Sequence, residues 1–359
     1  MNYSDNEIFL IVINTVKGLE YKNKYLIYEK VKDISLFSDK IEFAKKAFHE
    51  IKDINESVID NLFTKEYIEY VLKELSNNKE TVVTIDSESY PESLREIENP
   101  PLVLYCKGDI SLLNNNNFSI VGSRKCLPLS ISIAERFSEI LSDNGFTLVT
   151  GIAEGIDVTV IKSALKNNKK VISVVAGGLS SVYPKAHQNI FDEVIKKGLV
   201  ITEQTYFESA LPYMFPIRNR IIAGLSKGTL IVSASKKSGA LYTAEFAMEN
   251  GRDLFAVPYS IGNKNGEGTN DLIKRGAILT DCPQDILSYY GIEKEEEIRI
   301  SLTDREKAIL NAISDGSSHV EEIAVKTKLD ISEVCSVLAL MEIKKLVVKD
   351  GINEYGLCK

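Results

Sequence analysis

The spacing of apolar residues divides the chain into parts. Up to about residue 78, apolar side chains recur at helical spacing, and the segment holds no proline and a single glycine, Gly18. This pattern predicts a helical N-terminal domain over residues 1–78, followed by a polar linker near residues 76–80. From about residue 81, short apolar runs alternate with amphipathic stretches of helix length. That alternation predicts an α/β domain over residues 81–290, built on a doubly wound, mostly parallel sheet.

Six strands and four helices are predicted inside the α/β domain. The strands are Phe118–Val121, Thr147–Thr150, Val171–Val175, Val200–Thr202, Leu230–Ser233 and Leu254–Val257. The helices are Leu129–Asn144, Asp157–Asn167, Gln188–Lys197 and Ala240–Asn250. Because parallel strands bring their carboxyl ends to one edge of a sheet, ligands bind there. The glycine-containing turns of this chain follow those strand ends, so they are the first candidates for a binding site.

Residues 301–359 predict a compact terminal module, joined to the rest by a charged segment at 291–300. Thr303 and Glu306 form a capping-box pattern for its first helix. That helix is predicted to end near Ile313. The second helix is predicted over Val320–Thr327, and the third over Ile331–Lys344 with Asp330 as its cap. Two apolar runs separated by Asp350 and Gly351 then predict a β-hairpin with its turn at that pair. Three helices and a hairpin in this order are typical of a winged helix-turn-helix.

Composition excludes several functional classes. Hydrophobic residues make up 44% and charged residues 26% of the chain, as in ordinary globular proteins. No apolar run is long enough to span a membrane, and Asp5 and Glu7 stand where a signal peptide carries positive charge, so a cytoplasmic protein is expected. The five cysteines are widely spaced without a C-x-x-C pair. A disulfide framework and a metal site are therefore not predicted. No cofactor is predicted either.

The formal net charge is −8, and no large segment is basic. This argues against a broad electrostatic footprint for nucleic acid, so any such site must be a local cluster of cations.

The first two strands end in turns suited to a phosphate. Gly122, Ser123 and Arg124 combine close backbone approach, a hydroxyl and a planar cation before a helix start. Gly151 follows the next strand and can line the same cleft, whereas Asp157 fits a helix cap better. Such turns are common in α/β sheets, so each is also consistent with a purely structural role.

The segment from Phe215 to Leu225 carries the most informative pattern. Pro216 suits the first turn of a helix and places Arg218 and Asn219 in that turn. Phe215 is then an aromatic platform for a base beside cations, as in single-strand recognition. The alternative is that Phe215 belongs to the core and that Arg218 and Arg220 pair with carboxylates. Since the two arginines are two residues apart, they point to different faces, and at least one is structural.

A further turn contains Lys237, Ser238 and Gly239 between a strand and a helix, where lysines and helix amides suit a phosphate. Established catalytic patterns are missing from the sequence. The first turn reads G-S-R rather than G-x-G-x-x-G, and there is no Walker sequence and no credible Ser-His-Asp set. No catalytic residue is therefore assigned.

Taken in order, these motifs resemble the DNA-processing protein A (DprA/Smf) family over about residues 88–280. The motifs that carry the resemblance are I-V-G-S-R at 120–124, G-I-A-E-G-I-D at 151–157, F-P-I-R-N-R-I-I-A-G-L at 215–225 and K-S-G-A-L-Y-T-A at 237–244. The third string is highly specific. A helical (SAM-like) N-terminal domain and a C-terminal winged helix also occur in this family.

The resemblance implies an extended Rossmann-like core that binds single-stranded DNA, often as a homodimer through that core. It implies a recombination mediator, not an enzyme, that protects incoming DNA and helps load the RecA recombinase during natural transformation. Carried over by position, the DNA pocket contains Gly122, Ser123, Arg124, Phe215, Arg218, Asn219, Lys237, Ser238 and Gly239. In that pocket Arg124 and Lys237 hold phosphates. Phe215 stacks on a base, and Asn219 bonds a base edge or a phosphate.

The chain departs from the family pattern at Ile161, Ser233 and Tyr259, where a histidine, an acidic residue and a glycine are usual. With the acidic net charge, these departures predict weaker or altered DNA binding. The competing hypothesis is a nucleotide N-glycosidic hydrolase of the related Rossmann-like superfamily, with Glu245 as acid/base. Its loop here lacks the glycine pair and the Gly-Thr of those enzymes. A third interpretation is a nucleotide sensor with the winged helix as effector.

The third helix of the terminal module exposes Ser332, Glu333, Ser336 and Glu342 in this interpretation, with Lys344 and Lys345 only at its end. A helix that reads the major groove presents cations and amides near its start. Contact with a protein is therefore favoured over contact with duplex DNA.

Overall fold

The computed structural model describes residues 3–16, 19, 21–50, 61–292, 303–343, 346–351 and 353–357. The chain divides into two compact units, Met1–Ile292 and Glu293–Lys359. The boundary predicted near residue 78 falls inside the first unit, which holds both the N-terminal helices and the sheet. Most of the charged segment at 291–300 lies outside the described residues. Every helix in the described residues is too short or too polar to cross a membrane.

The N-terminal segment is helical throughout its described part, as its apolar spacing predicted. Its four described helices are α1 (Asp5–Asn14), α2 (Tyr21–Val31), α3 (Phe37–Glu50) and α4 (Lys65–Asn77). Polar side chains attach these helices to the sheet domain. The Asn14 amide donates to the Glu203 carbonyl at 2.9 Å, and the Tyr28 hydroxyl donates to Asp86 at 2.7 Å. These contacts explain why the helices and the sheet form one compact unit.

A sheet of nine described strands forms the centre of the first unit. The strands are β1 (Thr81–Thr84), β2 (Val103–Gly108), β3 (Asn117–Val121), β4 (Thr147–Thr150), β5 (Val171–Val174), β6 (Leu199–Thr202), β7 (Gly228–Ile231), β8 (Asp253–Ala256) and β9 (Ile278–Leu279). Their order in the sheet is β1-β2-β6-β5-β4-β3-β7-β8-β9. Strand β2 is antiparallel to both of its neighbours. The strands that follow it in the sheet, β6-β5-β4-β3-β7-β8-β9, are all parallel to one another.

Helices lie between most consecutive strands, and one follows the last strand. They are α5 (Glu92–Arg95), α6 (Pro128–Asp143), α7 (Ile156–Lys166), α8 (Gln188–Lys197), α9 (Met214–Gly224), α10 (Ala240–Glu249), α11 (Glu267–Lys274) and α12 (Pro283–Tyr289). From β3 the chain winds through β4 and β5 to β6, and then returns through α9 to β7, on the other side of β3. The doubly wound, Rossmann-like prediction is confirmed. Strand order reverses between β3 and β7, which is where such sheets bind ligands.

The second unit has the elements of a winged helix. They are α13 (Asp304–Ser314), α14 (Val320–Thr327), α15 (Ile331–Ile343), β10 (Val347–Gly351) and β11 (Glu354–Leu357). The predicted capping box of Thr303 and Glu306 is present. The turn predicted at Asp350 and Gly351 is wrong, since Gly351 pairs with Glu354 inside the hairpin. The turn follows Gly351 and includes Asn353 at φ 61°, a conformation that asparagine tolerates.

A buried carboxyl group lies where α4 leads into β1. Glu80 is 1% exposed, and neither of its carboxylate oxygens has a hydrogen-bond partner among the described residues. Burial raises the pKa of Glu80 to about 7, although the charge of Lys107 opposes the shift. At low pH the carboxyl group is protonated in both the folded and the unfolded protein, so it costs no stability. As pH rises toward 7 the protein loses stability, because the unfolded chain releases this proton at a lower pH than the folded protein does.

Glu80→Gln is expected to resemble the wild type near pH 5 and to become the more stable protein at pH 8.5. Between these two pH values, the difference in free energy of unfolding between variant and wild type should grow by about 2–3 kcal/mol. Urea denaturation at both pH values measures it. Glu88→Gln, at an exposed carboxylate, is the matched control. Parallel pH dependence of Glu80→Gln and wild type would contradict the prediction.

Candidate functional site

The turn after β3 is fixed to the end of β7, at the point where strand order reverses. The Ser123 backbone N–H and hydroxyl both donate to the Ser233 carbonyl, at 2.9 and 3.2 Å. The Ile156 N–H, at the start of α7, donates to the Ser123 carbonyl at 3.4 Å. The two glycine-rich turns, after β3 and after β4, therefore form one rigid rim.

A cleft of about 490 Å³ opens along this rim. The predicted site residues that line it are Gly122, Ser123, Arg124, Phe215, Arg218, Asn219, Lys237, Ser238 and Gly239. They come from the carboxyl ends of β3 and β7, from the first turns of α9 and from the turn before α10. The sheet thus brings together segments that are more than 100 residues apart in sequence. The other two predicted residues, Gly151 and Arg220, do not line the cleft.

Phe215 and Arg124 form a pair in the wall of the cleft. The Arg124 guanidinium is exposed and lies 5.4 Å from the centre of the Phe215 ring, within the range of a cation–π contact. The Phe215 ring is half-buried and also meets the Tyr183 ring edge to face, with centroids 5.8 Å apart. Phe215 is therefore a wall of the cleft rather than part of the closed core. A flat ring suits stacking with an unpaired base, and a free cation beside the ring suits the phosphate of that nucleotide.

Arg218 lies in the floor of the cleft and is only 6% exposed. Its guanidinium donates to the Val174 carbonyl and, through Nε, to Asn219 Oδ1 at 3.2 Å. Burial lowers the pKa of Arg218 to about 10, with Asp157 opposing the shift. Arg218 thus contributes buried positive charge and holds Asn219. The Asn219 amide in turn donates to the Gly239 carbonyl at 3.2 Å, linking α9 to the turn before α10.

Arg220 faces away from the cleft. Its guanidinium binds both carboxylate oxygens of Glu203, at 3.0 and 2.6 Å, and lies 4.8 Å from the centre of the Tyr21 ring. It joins the N-terminal helices to the sheet, so the site proposed below does not include it. Gly151 lies behind the cleft, where a Cβ atom would come within 2.8 Å of Arg218 Nη2. Gly151 therefore leaves room for the Asp157 and Arg218 side chains and does not line the cleft.

The sequence suggested that Asp157 caps α7, but the structure shows that it does not. Gly155 is the capping residue, and Asp157 lies in the first turn of the helix. Its carboxylate accepts the Ala153 N–H at 3.3 Å, and burial raises the pKa of Asp157 while Arg218 opposes the shift. Asp157 is the one carboxylate in the lining of the cleft, all of which lies within described residues, against the four cations Arg124, Lys125, Arg218 and Lys237. A local positive site therefore exists in an acidic chain.

Sequence reasoning missed other residues of the site. Lys125, Tyr242 and Asn265 line the cleft, and Lys185 lines an adjoining hollow of about 170 Å³ with Tyr183. Lys125 directly follows Arg124, so its position was available from the motif. Asn265 comes from a loop after β8 and carries no local signal. The Ala234 N–H donates to the Asn265 carbonyl at 2.8 Å, and the Gly268 N–H donates to the Ala234 carbonyl at 2.8 Å, which brings that loop to the rim.

The three departures from the family pattern lie among packed residues. Ile161 is fully buried in α7. The Tyr259 hydroxyl donates to the Val232 carbonyl at 3.1 Å and lies 2.8 Å from the Ser130 hydroxyl. Ser233 is buried, and its backbone carbonyl holds Ser123, but its hydroxyl has no hydrogen-bond partner among the described residues. None of the three lines the cleft.

Glu245, the residue of the competing hydrolase hypothesis, is exposed and lies outside the cleft. It lines a separate open hollow of about 340 Å³ on α10. A catalytic acid/base must come within hydrogen-bonding reach of the reacting group. Glu245 lies beside the cleft rather than in its lining, so the geometry does not favour this hypothesis.

Comparison with known proteins identifies the family of both units. A model of the family DNA recombination-mediator protein A matches residues 81–291, and one of the DprA winged helix domain matches residues 293–350. The DNA processing protein DprA of Streptococcus pneumoniae is 39% identical over 207 residues, which cover 58% of this chain and 73% of that protein. The Protein Smf of Escherichia coli is 38% identical over 226 residues, which cover 63% and 60%.

Solved structures extend the comparison to the fold. The structure of DNA processing protein A from Streptococcus pneumoniae has a TM-score of 0.68 and 32% identity, covering 80% of this chain and 98% of its own. The structure of this protein from Helicobacter pylori, described for its single-stranded DNA binding mode, has a TM-score of 0.53 and 27% identity, covering 58% and 95%. With the family model spanning more than half of its length, this chain belongs to the DNA recombination-mediator protein A family.

Proposed function

We propose that the cleft at the β3–β7 edge binds single-stranded DNA and that the protein acts without turnover. The observation that carries this proposal is the half-buried Phe215 ring beside the exposed Arg124, inside a cleft lined by cations. Base stacking on an aromatic platform next to positive charge is the usual chemistry of single-strand recognition. A base paired in a duplex does not offer its face in this way, so single strands are preferred.

The biological role follows from the family. As a recombination mediator, this cytoplasmic protein would cover incoming single strands during natural transformation and help load the RecA recombinase onto them. It would do so as a homodimer joined through the Rossmann-like core. The relative from Helicobacter pylori, with its single-stranded DNA binding mode, supports the DNA part of this proposal. The RecA and dimer parts rest on family membership alone.

The winged helix contributes a protein contact in this proposal. On α15 the exposed described side chains include Ser332, Ser336, Leu340 and Glu342, and none of them is positively charged. Glu333 is already paired with Arg305 at 2.6 Å. A surface with no free positive charge among these residues attracts the phosphates of a major groove only weakly, which favours a protein partner.

The test is fluorescence anisotropy with a labelled single-stranded oligonucleotide and a matched duplex, at several salt concentrations. Arg124→Ala/Lys237→Ala removes two exposed cations and is expected to weaken single-strand affinity by about tenfold to thirtyfold. The slope of log affinity against log salt should fall by about 1.4, or about 0.7 for each lost phosphate contact.

Arg136→Ala/Lys196→Ala is the matched control, because it removes one exposed arginine and one exposed lysine from the same unit, away from the cleft. Its affinity and salt slope should equal those of the wild type. Equal losses in both double variants would mean that only net charge matters, and the cleft would not be the site. A wild type that binds no single strand at low salt would overturn the proposed function.

A further inference from the structure

A tyrosine stands at the outer end of the cleft. Tyr242 lies in the first turn of α10, with 48% of its surface exposed. Within residues 61–292, all of which are described, its hydroxyl has no hydrogen-bond partner and its ring meets no other aromatic ring. Neither a hydrogen bond nor an aromatic contact within that range accounts for the exposed part of the ring.

Tyr242 separates two hollows. It lines the cleft on one side and the open hollow of about 340 Å³ on the other. Phe215 has the same relation to the opposite end of the cleft, because it lines both the cleft and the hollow of about 170 Å³ that contains Lys185. Three hollows thus follow one another along the carboxyl edge of the sheet, with an aromatic ring at each junction.

The outer hollow carries its own charges. Lys236 and Lys237 line it, both exposed and both without an ion-pair partner among the described residues. Glu245 is the one opposing charge in that lining, which is fully described. The hollow is therefore positive by one unit where it adjoins the cleft, since Lys237 lines both.

We infer that Tyr242 is a second base-stacking platform and that Lys236 contacts a phosphate beyond it. The DNA strand then leaves the cleft over the first turn of α10 and continues into the outer hollow. This inference rests on the proposed function, since it concerns the path of the same strand. A strand of about 4 nucleotides is held by the cleft alone, whereas a longer strand continues into the outer hollow. Rings at the junctions hold successive bases, because stacking tolerates any base.

The test compares Tyr242→Ala with Tyr242→Phe in the anisotropy assay, using oligonucleotides of about 4 and about 16 nucleotides. Tyr242→Ala should weaken binding of the longer strand by about fivefold to tenfold, the lower end of the range for loss of one stacked base. The short strand, held by the cleft alone, should lose less than twofold. Tyr242→Phe keeps the ring and should bind as the wild type does.

Two further variants sharpen the result. Lys236→Ala should reduce the salt slope for the longer strand by about 0.7 and leave that of the short strand unchanged. Tyr70→Ala is the matched control, because it removes a helical tyrosine that is 59% exposed and lies in α4. Thermal unfolding of each variant shows whether it is folded, as expected for changes at exposed helical positions.

The outcomes separate this inference from the proposed function. If Arg124→Ala/Lys237→Ala loses affinity while Tyr242→Ala binds both strands like Tyr70→Ala, the second platform is overturned and the cleft stands. If Tyr242→Ala weakens the short strand as much as the long one, the extension into the outer hollow is overturned. If the wild type binds neither strand, the proposed function fails, and this inference fails with it.

Discussion

Replacing Arg220 with methionine is expected to lower the free energy of unfolding by about 3–5 kcal/mol, because a buried charge loses its partner. The Arg220 and Glu203 side chains are 5% and 14% exposed, and their nearest atoms are 2.6 Å apart. Burial alone would lower the pKa of Arg220, but Glu203 more than offsets this and the pKa is raised. Methionine fills much of the same volume, so the loss reports the unpaired Glu203 carboxylate rather than a cavity.

Urea denaturation of Arg220→Met beside the wild type measures this effect. The double variant Arg220→Met/Glu203→Gln is the informative control, because it removes both charges and should recover most of the lost stability. A double variant no more stable than Arg220→Met would show that the pair does not act through its charges. A loss below about 1 kcal/mol in Arg220→Met would place the pair among ordinary surface ion pairs.

Gly155→Ala is expected to destabilise the protein by about 3 kcal/mol, through backbone strain and a clash with the rim of the cleft. Gly155 has φ 87° and ψ −124°, a conformation that residues with a side chain rarely adopt. An added Cβ would also contact the Ser123 carbonyl oxygen and lie 2.6 Å from that of Arg124. The turn that presents Arg124 must then move, so single-strand affinity should fall together with stability.

Thermal and urea unfolding test the stability part, and anisotropy at a temperature where the variant is folded tests the binding part. Gly239→Ala is the matched control for stability. Gly239 has φ −61°, and a Cβ there would meet nothing within 4 Å. Its unfolding free energy should stay within about 0.5 kcal/mol of the wild type. Equal effects of the two substitutions would contradict the assigned role of Gly155.

Elements with strong local signals were predictable from sequence. The bounds of β4, α8 and α14 agree with prediction to the residue, because each pairs a clear periodicity with a clear break. The capping box of Thr303 and Glu306 is equally local. By contrast β1, β2 and β9 were not predicted. They lie toward the two sides of the sheet, and β9 is only two residues long, so its sequence carries little periodicity.

The residues of the site divide in the same way. Motif strings after the strand ends identified Arg124, Phe215 and Lys237, because the topology of a parallel sheet brings strand ends together. Asn265 and Tyr242 were missed. Tyr242 lies inside the K-S-G-A-L-Y-T-A motif, but the motif by itself does not show that this side chain lines the cleft. Their place at the cleft depends on how α10 and the loop after β8 pack.

By itself, the sequence determined the class of fold, the family and the turns that meet at one edge of the sheet. These properties follow from periodicity, caps and short motifs, which act over a few residues. Only the tertiary structure decided that Arg218 lies in the floor of the cleft while Arg220 pairs with Glu203 on the other side of the helix. The spacing of the two arginines showed that they diverge. Which one faces a ligand depends on partners far away in sequence, because burial and charge pairing are set by the packed whole.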